Sequence, residues 1–214
     1  MFRPSYLKEG PGIAKDAPEK TGAAWVGETL AREFWQIVKL NVLFLLCCLP
    51  VVTFGVARAA MARCTVNMAR DVPNDVWTDF LAALRQDTVR NLLCGLVELA
   101  LLWMGVMLVT ADGFFPALIG MLLLCVTAAF FQNFWAVQAA VDIPFAAAAK
   151  NAWLLCLLRP GMTVLGLGVN ALLLIPAVLF FPLSLPYVLL FPCGLSGFAS
   201  GMIGWSSCKR YLIR

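Results

Sequence analysis

The feature that most constrains this chain is a run of 49 residues, 160–208, without a single formal charge. A second uncharged run covers the 29 residues 113–141, and residues 92–111 hold one charge, Glu98. A helix rises about 1.5 Å per residue, so about 20 apolar residues cross a bilayer. Hydrophobic residues make up 62% of the chain and charged ones 13%, against about 45–50% and about 25% in soluble domains. The sequence therefore predicts an all-α, polytopic transmembrane helix bundle, with the lipid bilayer as its partner.

The predicted organisation is a polar tail followed by one transmembrane domain. Residues 1–28 combine Gly, Pro and charges with little to bury, which predicts a disordered tail. Residues 29–214 are expected to form a single domain. It has about five spans and two cytoplasmic amphipathic segments: the spans are expected at about 34–57, 92–110, 115–141, 162–181 and 185–205, and the segments at 58–91 and 142–161.

The first predicted span is broken between Pro50 and Gly55, where helix breakers lie. It can therefore either cross the membrane once or turn back within it. The Lys and Arg of the inter-span segments and of the C-terminus predict that these parts are cytoplasmic and that the protein is multi-pass in the plasma membrane. The tail before the first span is basic as well. One full crossing would put that tail outside, against the usual bias, whereas a re-entrant turn would keep both ends inside. The sequence leaves both topologies open.

Residue patterns that carry catalysis are missing from the sequence. The chain has no His, and its eight Cys include no CxxC pair, so the common zinc spacings are absent. It has no GxSxG, no Walker-type loop and no two carboxylates within one span. We therefore predict no catalytic, cofactor-binding or metal-binding residue, no enzyme activity and no cofactor. A nucleic-acid site is not expected either, because the basic residues lie in short inter-helix segments. The oligomeric state stays open.

The candidate intramembrane polar site centres on Glu98, because an ionisable group in mid-bilayer is costly unless it is paired or neutral. It could be a proton- or cation-linked site or a substrate contact. Alternatively, a neutral carboxyl could simply bond to a neighbouring helix. Four amides complete the candidate site: Asn41, Gln132, Asn133 and Asn170. They could line a polar path with Glu98, or they could form interhelical hydrogen bonds worth about 1 kcal/mol each.

Residues 40–55, LNVLFLLCCLPVVTFG, resemble the opening signature of the YesL family. This is a bacterial membrane family described as domain of unknown function 624. The signature residues are Leu40, Asn41, Cys48, Leu49, Pro50, Thr53 and Gly55. The resemblance implies a multi-pass bacterial protein that is often encoded beside carbohydrate uptake and utilisation genes. It implies no catalytic residue.

Two functions follow as expectations. The first is a non-enzymatic accessory or regulatory membrane protein linked to carbohydrate uptake or utilisation, with sugar-transporter subunits as candidate partners. The alternative is a small transporter or permease component with a polar intramembrane site around Glu98. Breaks expected at Pro50, Pro176, Pro182, Pro186 and Pro192 favour this alternative, because discontinuous helices often form substrate sites. The lack of a visible internal repeat opposes it.

Overall fold

The computed structural model describes residues 22–72, 75–141 and 143–211. In this part of the chain every regular element is helical, so the predicted all-α fold is confirmed. Nine α-helices follow one another: α1 Ala23–Cys47, α2 Phe54–Ala69, α3 Val76–Leu84, α4 Thr88–Thr110, α5 Phe114–Ala140, α6 Phe145–Leu158, α7 Pro160–Leu179, α8 Leu185–Leu190 and α9 Pro192–Tyr211.

The beginning of α1 differs from the prediction of a tail over residues 1–28. Residues 1–21 lie outside the described part, but helix already begins at Ala23, in a stretch with two alanines, which have the highest helix propensity. The chain divides into two compact units, residues 1–32 and 33–214. All contacts described below belong to the second unit.

The predicted break after the first apolar run is present. α1 ends at Cys47, a short 3-10 turn covers Val51–Thr53, and α2 begins at Phe54. Pro50 has no backbone N–H and cannot continue a helical hydrogen-bond ladder. Residues 34–57 therefore belong to two helices, with the interruption at the predicted place.

The predicted span at 185–205 is also divided. α8 stops at Leu190 and α9 starts at Pro192, with Phe191 between them. Proline suits the first turn of a helix but not its interior, so Pro192 begins a new helix. α9 then continues to Tyr211, beyond the predicted end.

Three of the described helices are long and apolar enough to cross a membrane: α4, α5 and α7. They correspond to the predicted spans 92–110, 115–141 and 162–181. α6 is a shorter apolar helix, where residues 142–161 were expected to be amphipathic. The exposed side of α6 carries Trp153 and Leu157, and its buried side carries Ala152 and Leu155. Both sides of the helix are therefore apolar at these positions.

The prediction that 58–91 is one amphipathic segment beside the membrane does not hold for α2. This helix packs against α3, α4, α5 and α9, and eleven of its 16 residues are buried. Its many alanines let neighbouring helices approach closely, as small residues do in membrane helix packing. α3 does have a one-sided pattern, with Val76 and Phe80 buried and Trp77 exposed.

Candidate polar site within the helix bundle

Glu98 is held in an ion pair inside the helix bundle. Nη2 of Arg58 on α2 lies 3.3 Å from Oε1 of Glu98 on α4. The indole Nε1 of Trp135 on α5 donates a hydrogen bond of 2.8 Å to Oε2. Glu98 is 3% exposed, and a buried charge is tolerated only where it is paired and hydrogen-bonded. Both carboxyl oxygens thus have a partner, each from a different helix.

Two glycines bring α2 and α4 close enough for this ion pair. A Cβ atom on Gly55 would lie 2.6 Å from the Cα of Gly95, so the two backbones are in direct contact. Gly55 precedes Arg58 by three residues, and Gly95 precedes Glu98 by three. One helical turn spans about 3.6 residues, so the crossing lies about one turn from each charged residue.

A small cavity lies beside the ion pair, between α2, α5 and α9. Its volume is about 20 Å³, which is room for about one water molecule. Its polar wall is formed by five side chains: Arg58, Thr65, Gln132, Trp135 and Ser200. Met61, Ala62, Ala136, Gly197 and Gly201 complete the lining.

A chain of amides and hydroxyls joins the cavity wall to α7. The Nδ2 of Asn170 on α7 donates to Oε1 of Gln132 at 3.0 Å and to Oγ of Ser200 at 3.2 Å. The Oγ of Ser196 donates to Oδ1 of Asn170 at 2.8 Å. These bonds connect α5, α7 and α9, and they bring together two of the candidate residues, Gln132 and Asn170.

Asn41 lies apart from this cluster and bridges the break between α8 and α9. Its Nδ2 donates to the backbone oxygens of Val188 at 3.0 Å and Leu189 at 2.8 Å. Its Oδ1 accepts the backbone N–H of Gly194 at 2.8 Å. The ends of helices leave backbone groups without intrahelical partners, and here one buried amide satisfies three of them. These three bonds are the interhelical role that the sequence left open for Asn41, and none of them involves Glu98 or its partners.

Asn133 bonds to a third set of groups, which does not include Glu98. Its Nδ2 donates to Oγ1 of Thr163 on α7 and Sγ of Cys156 on α6, each at 3.3 Å, and to the backbone oxygen of Ala129 at 3.0 Å. It therefore connects α5 to α6 and α7. Of the five predicted site residues, Glu98, Gln132 and Asn170 share one region, whereas Asn41 and Asn133 serve separate contacts.

The sequence did not predict the roles of Arg58 and Trp135. The sequence places Arg58 in a polar segment beside the membrane, because residues 58–91 carry five arginines. The signal that could have identified it is the small-residue content of α2, which is typical of a helix packed within others. For Trp135 a signal is harder to find, since an indole in an apolar helix is ordinarily a packing residue.

The other residues of the 40–55 signature differ in burial and in their contacts. The hydroxyl of Thr53 lies against the backbone oxygens of Cys47 and Pro50, 2.7 Å from the latter, so it satisfies carbonyls freed where α1 ends. Leu40 is fully buried. The remaining members differ in exposure: Cys48 is half-buried, and Leu49 and Pro50 are exposed.

In chemical terms the cluster offers one fixed charge pair surrounded by amides, hydroxyls and an indole. Among the residues that the structure describes, no three His, Cys, Asp or Glu side chains group closely enough to hold a metal ion. The groups facing the cavity are mainly hydrogen-bond donors, as guanidinium and indole N–H groups cannot accept. The cluster is suited to holding helices together and to binding an acceptor.

Comparison with known proteins adds one relationship. The model of a family described as a protein of unknown function, DUF624, matches residues 37–110. Over these residues the chain matches the DUF624 family. The matched stretch includes the 40–55 signature, Arg58 and Glu98, so the predicted relationship to domain of unknown function 624 is confirmed there. The narrower link to YesL stays a prediction. No curated protein and no solved structure matches the chain.

Proposed function

We propose that this chain is a non-enzymatic accessory or regulatory protein of the bacterial plasma membrane, linked to carbohydrate uptake or utilisation. The observation that carries the proposal is the size of the cavity beside Glu98, about 20 Å³. Sites for small molecules measure about 300–1,000 Å³, so a sugar does not fit there. The carbohydrate link itself rests on the resemblance to YesL.

The hydrogen bonds of the cluster support the same proposal. Glu98 is engaged by Arg58 and Trp135, and Asn170 by Gln132, Ser196 and Ser200. A substrate path would need such groups to be available in turn to a moving solute. Bonds that join five helices are better suited to a rigid scaffold that contacts a partner, and sugar-transporter subunits are the partners we propose.

We further propose that the C-terminus is cytoplasmic. The guanidinium of Arg70 lies 4.8 Å from the ring centroid of Trp205, and Nη1 of Arg159 donates to Oγ of Ser207 at 3.3 Å. The end of α2, the start of α7 and the end of α9 therefore carry their basic residues at one end of the bundle. Basic residues favour the cytoplasmic side, and fusion of a reporter enzyme to the C-terminus tests the assignment.

A reconstitution experiment tests the function. The purified chain in lipid vesicles is expected to take up no radiolabelled sugar, whereas a deletion strain is expected to lose uptake that the wild-type gene restores. Complementation by Glu98→Gln is expected to follow its folded level in the membrane, because Glu98 here has a structural role. Sugar uptake by vesicles that hold only this chain would contradict the accessory role, and so would a deletion strain with normal uptake.

The transporter alternative keeps one observation in its favour. Helix breaks occur at two places, after Cys47 and at Phe191, and Asn41 connects α1 to the second. Discontinuous helices form substrate sites in known transporters. The same vesicle experiment distinguishes the two functions, since a transporter would move its substrate without a partner.

A further inference from the structure

We propose that the cavity between α2, α5 and α9 is a binding site for one small hydrogen-bond acceptor, with the size of a water molecule or a halide ion. The cavity of about 20 Å³ admits one occupant of that size. This inference does not depend on the accessory function, because it concerns only unpaired donors on residues that line the cavity.

Two buried donors, on residues that line the cavity, carry the inference. The Nε2 of Gln132 and the Nε of Arg58 are buried and make no hydrogen bond to any described residue. Gln132 is 4% exposed, so bulk solvent cannot supply its partner. Buried polar groups are nearly always hydrogen-bonded, and an unpaired one points to an ordered water or ion.

The Gln132 amide has its oxygen turned toward Asn170. Asn170 donates through Nδ2 to Oε1 of Gln132, and the Oδ1 of Asn170 accepts from Ser196. The NH₂ group of Gln132 is therefore the end without a partner. An acceptor, rather than a donor or a cation, satisfies this end.

The charges around the cavity permit either a neutral or an anionic occupant. Arg58 lines the cavity, whereas Glu98 does not and contacts Arg58 through a different nitrogen, Nη2. The remaining polar wall, Thr65, Trp135 and Ser200, carries no charge. The nearest formal charge to an occupant is therefore the positive one of Arg58. Water and halide share this chemistry, and the experiment has an arm for each.

The test is a high-resolution structure of the full-length purified chain, determined in bromide and in a halide-free buffer. A peak within hydrogen-bond distance of Arg58 Nε and Gln132 Nε2 is expected. If it has the anomalous signal of bromide, the occupant is an anion. If it is present in both buffers without that signal, the occupant is water. No peak in either buffer would overturn the proposal.

Matched variants distinguish a site formed by specific side chains from the adventitious binding of an ion. Gln132→Met removes the free donor at similar length and should lower occupancy or halide affinity about tenfold, the effect of about one hydrogen bond. Gln138→Met makes the same change six residues later on α5, at a residue bonded to Asn91, and should leave the peak unchanged. Ala62→Ser, which adds one atom to the wall without removing a bond, should displace the occupant. A peak that survives both Gln132→Met and Ala62→Ser would refute the site.

Discussion

α2 and α4 pack against each other and bury opposite kinds of surface. On α2 eleven of 16 residues are buried, and most of them are Ala, Val, Met or Gly. On α4 four of 23 residues are buried, and they are Asn91, Gly95, Glu98 and Gly105. α4 therefore turns its small and polar residues inward and its large apolar ones outward. α2 is enclosed on nearly all sides.

This difference shows which helices hydropathy can identify in a membrane helix bundle. The three helices apolar enough to span a membrane are little buried, with 17% of their most apolar window enclosed by protein. A lipid-facing surface must be apolar, whereas a surface that packs on other helices can be small or polar. Hydropathy therefore found α4, α5 and α7 and missed α2, which lies among them.

The largest expected effect comes from breaking the bond between the two helices. Arg58→Met leaves Glu98 buried without its charged partner and should cost about 3–5 kcal/mol of unfolding free energy. The double variant Arg58→Met/Glu98→Gln should recover part of this loss, because no unpaired charge remains. Denaturant titration of the purified protein in detergent measures both.

An exposed pair provides the control for this cycle. Arg90 and Asp87 are 2.7 Å apart with side chains 37% and 45% exposed, so Arg90→Met should change stability by less than about 1 kcal/mol. If Arg58→Met were as mild as Arg90→Met, the buried ion pair would not hold α2 and α4 together.

The next effect concerns the backbone contact. Gly55→Ala introduces a Cβ 2.6 Å from the Cα of Gly95, where backbone must move, and should cost about 1–3 kcal/mol. Gly168→Ala on α7 meets no atom within 4 Å and serves as control. Thermal midpoints of the two variants in detergent make the comparison, and equal midpoints would mean that close approach of α2 and α4 is not required.

A smaller effect is expected where Asn41 bridges the divided helix. Asn41→Leu leaves the oxygens of Val188 and Leu189 and the N–H of Gly194 without this partner, at a cost of about 1–3 kcal/mol. Val42→Ala, at the neighbouring exposed position, should change little. Faster hydrogen exchange at Gly194 in Asn41→Leu, measured by mass spectrometry, identifies the affected segment; unchanged exchange would argue against the bridging role.

The smallest effect is a difference in labelling between exposed and enclosed helices. Cys125 on α5 is exposed, whereas Cys64 on α2 and Cys208 on α9 are buried. In single-cysteine variants, an apolar maleimide should label Cys125 at low temperature, and the other two only as the protein unfolds. Early labelling of Cys64 would mean that α2 is not enclosed.

The sequence predicted more of the fold than of the site. The uncharged runs identified three helices, and Pro50 marked the end of α1. Pro192 was one of several prolines at which the sequence allowed a break, and it does begin α9. Pro176 lies inside α7 without ending it, so proline alone did not tell which apolar helices would be divided. Glu98 was recognisable as unusual, but its partner lies 40 residues earlier, in a helix whose composition suggested a different environment.

What the sequence determined by itself is the all-α class, the apolar helices and the position of the first break, because these depend on charge-free length and on the missing N–H of proline. The tertiary structure alone decided which polar residues meet. Arg58, Glu98 and Trp135 come from three helices, and their contact depends on how closely Gly55 lets α2 approach α4. Asn41 and Asn133 are amides in apolar surroundings as Gln132 is, yet only Gln132 faces the cavity, because helix packing rather than residue type sets what each side chain meets.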